Sequence, residues 1–264
     1  MPTKIVSAIV PIFNEQKTIH RVVASLLNSD LVSEVICVND GSTDKSLEIL
    51  QSFSSRIKLI NLKRNHGKGF ALATGIKKAK GEILIFFDGD ITGLTENHIR
   101  ALLDPLLMGG VKAVIAVLAK SPNYPFKKWD IYLSGIRVYY RNALLPHLTQ
   151  MVKTGYGIEV FLNGLFEKRE TKIVSLAGLV HQLKPKKWKL YRALKGYIIA
   201  GVEVSREIGK KEIISAKDYQ KIKHLATMEI SDDFAAKIKE ISNRKIRHFW
   251  QRYILKYLKM AWRG

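Results

Sequence analysis

Four apolar runs of strand length, near residues 4–13, 34–39, 57–62 and 83–87, alternate with segments patterned or capped as helices. That alternation constrains the fold most strongly. Lys4 to Phe13 is almost continuously β-branched and apolar, as expected of a strand buried on both faces, and Pro11 marks its end. Asn14 or Glu15 then opens a helix through Asn28, with Ile19, Val22, Val23, Leu26 and Leu27 on one stripe. The turn Asp40-Gly41-Ser42-Thr43-Asp44 caps a second helix, and the loop from Arg64 leads into a third that ends near Gly81. Such a pattern predicts parallel β-α-β units with ligands at the carboxyl ends of the strands. Pro11, Asp40, Lys68, Asp88 and Asp90 all fall just beyond such ends.

The fourth run drives straight into Asp88-Gly89-Asp90. Side chains alternate along a strand, so Asp88 and Asp90 share a side, and Gly89 permits close backbone approach. Paired carboxylates suit a hard divalent cation that keeps open positions for substrate phosphates. A strand ending in a polar turn fits the same residues. Further along, the spacing predicts a helix over Glu96–Leu107, a strand over Lys112–Leu118 and a loop at Ser121–Pro125. Leu133–Leu145 reads as a helix with Ser134, Arg137 and Arg141 on one face, and Thr171–Leu176 reads as a short strand.

The 264 residues carry 44 Lys and Arg against 23 Asp and Glu, a formal charge of +21 that favours phosphates, nucleic acid or anionic lipid. Cys37, the single cysteine, excludes an internal disulfide, and its apolar neighbours suggest a buried thiol in a reducing compartment. No apolar run approaches the roughly 18–20 residues that span a bilayer, and the N-terminus lacks a signal-peptide pattern. A cytoplasmic protein is expected, soluble or peripheral on the cytoplasmic membrane face. From Lys184 the chain turns basic and helical, which divides it into 1–183 and 184–264. After Glu240, Lys and Arg interleave with Ile246, Phe249, Trp250, Tyr253 and Tyr257 at helical spacing. Residues 241–264 therefore read either as an interfacial anchor on an anionic membrane surface or as a helix packed on the domain.

In order, Val10-Pro11-Ile12-Phe13-Asn14-Glu15, Val38-Asn39-Asp40-Gly41-Ser42-Thr43-Asp44, His66-Gly67-Lys68-Gly69 and Phe87-Asp88-Gly89-Asp90 resemble the signature set of family 2 glycosyltransferases. The segments Ser134-Gly135-Ile136-Arg137 and Gly155-Tyr156-Gly157-Ile158-Glu159, followed by His181, look most like polyprenyl-phosphate sugar transferases and glucosyl-phosphoglycerate synthases. The resemblance implies an α/β, A-type glycosyltransferase fold: a Rossmann-like mixed sheet flanked by helices, with a nucleotide-binding half near 1–92 and an acceptor half near 93–183. The basic helical C-terminal region would be an extension to it.

Carried over by position, the resemblance implies that Pro11, Phe13 and Glu15 edge the nucleotide pocket and that Asp40 recognises the base. Lys68, beside Gly69, reaches a phosphate or the sugar, and Asp88, Asp90 and His181 hold Mg²⁺ or Mn²⁺. Ser134, Arg137 and Arg141 orient a phosphate-bearing acceptor, Arg137 taking part in catalysis, and Glu159 bonds sugar hydroxyls. A capping role for Asp40, a solvated Lys68, a structural His181 and a solvated arginine face remain open on the residues alone. Where polyprenyl-phosphate mannosyl enzymes commonly carry an amide after the Asp pair, this chain has Thr92. The implied activity is transfer from a UDP- or GDP-sugar to a phosphate-bearing acceptor, a polyprenyl phosphate being preferred and phosphoglycerate the alternative. A basic nucleic-acid-binding or membrane-surface protein without turnover is the reading from another class. No common nucleic-acid module is legible, so nucleic acid is not expected as a partner.

Overall fold

The computed structural model describes residues 5–119, 131, 134–181, 205, 215–225 and 232–251. The first four apolar runs form β1 (Val6–Ile12), β2 (Glu34–Asp40), β3 (Lys58–Leu62) and β4 (Ile83–Phe86). They pair in parallel in the order β3-β2-β1-β4, with Ser7 opposite both Glu34 and Leu84. Between them lie α1 (Ile19–Leu27), α2 (Ser46–Gln51) and α3 (Lys68–Lys78). Ile19, Val22, Val23 and Leu26 of α1 are buried, as the 3.6-residue spacing requires. Neighbouring strands β2 and β4 lie on opposite sides of β1, and this reversal opens a crevice beyond the carboxyl ends. Cys37 is buried in β2, where burial pushes its thiol up to about 12, leaving it protonated and inert.

Past β4 come β5 (Ile91–Thr92), α4 (Glu96–Leu107), β6 (Ala113–Ala119), β7 (Arg137–Tyr140), β8 (Thr171–Ala177) and β9 (Val180–His181). The seven-stranded sheet continues β4-β7-β6-β8, with β7 antiparallel to both neighbours and β8 parallel to β6. The helix expected over Leu133–Leu145 is corrected here: Arg137–Tyr140 is a central strand and a helical turn begins only at Arg141. Val138 and Tyr139 are wholly buried between β4 and β6, and strand pairing there overrides the local helical spacing. β5 and β9 form a separate two-stranded ribbon. The loop expected at Ser121–Pro125 lies outside the described residues.

By contacts the chain divides into Met1–Gly155 with Phe161–Leu183, and Tyr156–Val160 with Lys184–Gly264. In the part of the second unit that follows Lys184, the described helices are α5 (Ala216–Leu225), α6 (Asp232–Lys239) and α7 (Arg244–Phe249). Buried Asp218 accepts the backbone N–H groups of Ser242 and Asn243, and Asn243 in turn caps α7 by accepting from Ile246. Ile246 and Trp250 are fully buried, and the Trp250 indole donates to Ser205 at 2.8 Å. At these two positions the apolar face is packed inside the protein, as the packing alternative expects. Residues 252–264 lie outside the described part. Among the described residues, no helix is long and apolar enough to cross a membrane.

Candidate active site

The loops after β1, β2 and β3 are stitched into one rim. Asn14, in the left-handed region at φ 60°, accepts from the Thr43 N–H at 2.8 Å, while its own N–H donates to Ser42 at 3.0 Å. The Glu15 N–H donates to Ser46 at 2.8 Å. Asp40, at the end of β2 and 3% exposed, accepts from the backbone N–H groups of His66 and Gly67, each at 2.8 Å. Burial raises its carboxyl above the usual 3.8, while these two bonds and the nearby His66 pull it back. Its oxygens therefore hold the loop that delivers Lys68. Gly67 takes φ 93° and opens α3 directly on Lys68. Gly69 packs so tightly on Thr154 and the Met151 carbonyl that a side chain would strike both. Pro11 and Phe13 sit half-buried at the end of β1, and the Glu15 side chain lies against Gly89.

Asp88 and Asp90 follow β4 at the same rim. His181, 91 residues beyond Asp90, arrives because β9 pairs with β5, setting His181 opposite Ile91. Its Nδ1 lies 3.0 Å from Asp90 Oδ1. Thr92 spends its hydroxyl on the Val180 carbonyl at 3.3 Å, closing the same ribbon. One ligand atom from each of Asp88, Asp90 and His181 can be chosen so that all lie within 4.8 Å of one another. These separations place the three groups around one point, and Asp90 Oδ1 and His181 Nδ1, 3.0 Å apart, already have the spacing of neighbouring ligands on one ion. Two carboxylates and an imidazole form a donor set suited to Mn²⁺ or Mg²⁺.

Lys68 forms an ion pair with Asp88, both side chains more than four-fifths buried. Burial alone would raise the Asp88 carboxyl, but the charges of Lys68, His181 and Arg137 outweigh it and hold the group below the usual carboxylate range. Desolvation works against protonating His181, yet its bond to Asp90 and the charges of Asp88 and Asp90 raise it above the ordinary 6.5.

The predicted acceptor residues do not share a face. Ser134 lies before β7, and among the described residues its hydroxyl accepts from the Ile136 N–H at 3.3 Å and donates weakly to the Ile136 carbonyl at 3.5 Å. Arg137 is 0% exposed, opposite Phe86 near the carboxyl end of β4. Its guanidinium donates to the Ser134 and Ile131 carbonyls, the Tyr139 hydroxyl and Asn163 Oδ1. Arg141 sits at the far end of antiparallel β7, where its N–H bonds the Glu82 carbonyl and its Nε donates to Ile76 at 3.3 Å. That removes Arg141 from the carboxylate rim, a correction that follows directly from the strand direction. Glu159 is buried in the segment Tyr156–Val160, which groups with the second unit. Gly135 carried no role of its own in the sequence reading, yet a Cβ there would press on both Asp88 carboxylate oxygens and the Lys68 ammonium. Asn163 offered no sequence signal at all.

A mixed sheet with β1 at its switch point and an Asp-Gly-Asp rim places this chain among α/β proteins with a crevice at the carboxyl ends of their strands. The family model for Glycosyl transferase family 2 matches residues 7–169, and the chain belongs to that family. It is 26% identical over 154 residues to an undecaprenyl-phosphate 4-deoxy-4-formamido-L-arabinose transferase of Pseudomonas aeruginosa, covering 55% of this chain and 45% of that one. Over 222 residues it is 28% identical to a dodecaprenyl-phosphate galacturonate synthase of Rhizobium johnstonii, covering 78% and 57%. The chain thus spans about half the length of these curated relatives. Among solved structures, glucosyl-3-phosphoglycerate synthase from Mycobacterium tuberculosis, in complex with Mn²⁺, UDP-glucose and phosphoglyceric acid, superposes with a TM-score of 0.59 at 22% identity. That likeness covers 78% of this chain and 79% of the synthase, and it establishes the shared fold.

Proposed function

We propose that this chain is a metal-dependent glycosyltransferase that moves a sugar from a UDP- or GDP-sugar to a phosphate-bearing acceptor, with a polyprenyl phosphate as that acceptor. The observation that carries the reading is the meeting of Asp88, Asp90 and His181 at the mouth of the crevice, beside Lys68. Asp88, Asp90 and His181 would hold Mg²⁺ or Mn²⁺, which when bound neutralises charge on the departing nucleoside diphosphate. Lys68 supplies a second cation at the same place. Its ammonium rests on Asp88 and is positioned to turn to a diphosphate oxygen once the carboxylate has another partner. Asp40 keeps the His66–Gly67 backbone fixed, and with it the start of α3 that carries Lys68. Pro11, Phe13 and Glu15 edge the nucleotide pocket in this reading.

A phosphate acceptor is already ionised near neutral pH and needs no strong general base. The polyprenyl acceptor is supported by the names of the two curated relatives. Phosphoglycerate is the second acceptor reading, favoured by a fold likeness that extends over 79% of the phosphoglycerate synthase. A thermal-shift panel of UDP- and GDP-sugars with and without Mn²⁺ tests the donor, because a ligand that binds only the folded state raises its melting temperature. Product formation with undecaprenyl phosphate against 3-phosphoglycerate then separates the acceptors. Flat melting curves across the panel would sink the reading.

A further inference from the structure

Gly135 has a φ outside the left-handed region, so its backbone does not demand glycine. Space does. An added Cβ would fall under 3.0 Å from both oxygens of Asp88 and from the Lys68 Nζ, closer than such atoms approach. Arg137 accounts for how Gly135 comes to lie there. From inside the sheet its Nε donates to the Ser134 carbonyl at 2.7 Å and its Nη2 to the Ile131 carbonyl at 3.2 Å, gripping the backbone that leads to Gly135. Asn163 steadies the guanidinium from another segment at 2.7 Å. Arg137 is wholly buried, and four protein acceptors take its donors.

We propose that Gly135 and Arg137 are positioning residues: buried Arg137 anchors the backbone at Ile131 and Ser134, and the bare Gly135 Cα walls Asp88 and Lys68 into the geometry that receives the cation. The inference rests on the metal-site reading of Asp88, Asp90 and His181. It reassigns Arg137 from holding the acceptor to holding the loop. Partners that orient metal ligands from behind cost about 10- to 100-fold in metal affinity when they are altered.

Mn²⁺ binding followed by electron paramagnetic resonance tests this without turnover, alongside the urea midpoint of unfolding. Gly135→Ala is expected to weaken Mn²⁺ about tenfold or more while that midpoint stays near the wild-type value. A general loosening of the fold would move both. Asn163→Ala, which leaves the carboxylate untouched, should lower Mn²⁺ affinity by a smaller factor, and Asn163→Asp, which keeps an acceptor for Arg137, should restore it. Wild-type Mn²⁺ binding with both Gly135→Ala and Asn163→Ala unchanged overturns the assignment alone. Absence of Mn²⁺ binding in the wild-type chain overturns the metal-site reading and this inference with it.

Discussion

The two halves of the central sheet differ in how they build the crevice. In β3-β2-β1-β4 every strand is parallel, and each loop beyond a carboxyl end contributes by its place in sequence: Glu15 after β1, Asp40 closing β2, Lys68 opening α3, Asp88 and Asp90 after β4. In β7-β6-β8, the contribution comes from the start of a reversed strand, with Ser134 and Gly135 entering the rim and Arg141 leaving at the opposite edge. Parallel units present ligand residues one loop at a time. A reversed strand presents a single residue by register, so a shift along it moves the chemistry out of reach.

The largest expected effect tests the parallel half. Asp90→Ala removes a carboxylate from the metal group and the partner of His181. Charge stabilisation of several kcal/mol predicts a fall of about 10²- to 10³-fold in kcat. Steady-state kinetics with Mn²⁺ titration checks it, and a variant retaining wild-type metal response would place the cation elsewhere. Next in size is Asp40→Asn, since a carboxylate accepts two N–H bonds where an amide faces one of them with its own N–H. Leaving a buried donor unpaired costs about 1–3 kcal/mol. Urea denaturation should show that loss together with weaker nucleotide-sugar binding, because Lys68 loses its support.

A third expectation concerns pH. His181 titrates above its ordinary 6.5, so near neutrality part of the population must release a proton before the imidazole can ligate. Mn²⁺ affinity should therefore rise with pH through that raised value and level off above it, by up to about tenfold per unit. In the metal-free protein the sign reverses: a raised histidine stabilises the fold below its unfolded value and loses that contribution as pH rises through the folded one. Calorimetric Mn²⁺ titrations at several pH values check the first, and His181→Ala should flatten the slope.

Sequence reading reached the parallel half because each of its signals is local. Continuous apolar runs, a caps-and-glycine turn at Asp40–Asp44 and Asp-Gly-Asp after a strand all reflect neighbours within a few residues. His181 was reached through resemblance alone; the β5-β9 ribbon that carries it consists of two two-residue strands, too short for any periodicity to register. The error over Leu133–Leu145 has a plain cause. Ser134, Arg137 and Arg141 are spaced three and four apart, the helical signature, while Val138, Tyr139 and Tyr140 favour a strand. The pairing of β7 with both β4 and β6 decides between them, and that information lies in strands far upstream, beyond any local window. Gly135 was invisible for a related reason, since its meaning is the distance to Asp88 and Lys68.

The smallest effect sharpens the contrast between the two ends of β7. Arg137 and Arg141 are separated by four residues, about 13 Å along an extended strand. Arg141 spends its Nε on the Ile76 carbonyl near the end of α3 and stands beside Glu82, at the edge where β4 begins. Arg141→Ala should therefore cost about 0.5–1.5 kcal/mol of stability, the net worth of one such bond, and leave kcat and the acceptor KM unchanged. A strong rise in acceptor KM, with stability intact, would carry Arg141 back to the acceptor site. It would also mean that the reversed strand delivers residues to the crevice from both of its ends, against the register seen between Ile83 and Tyr140.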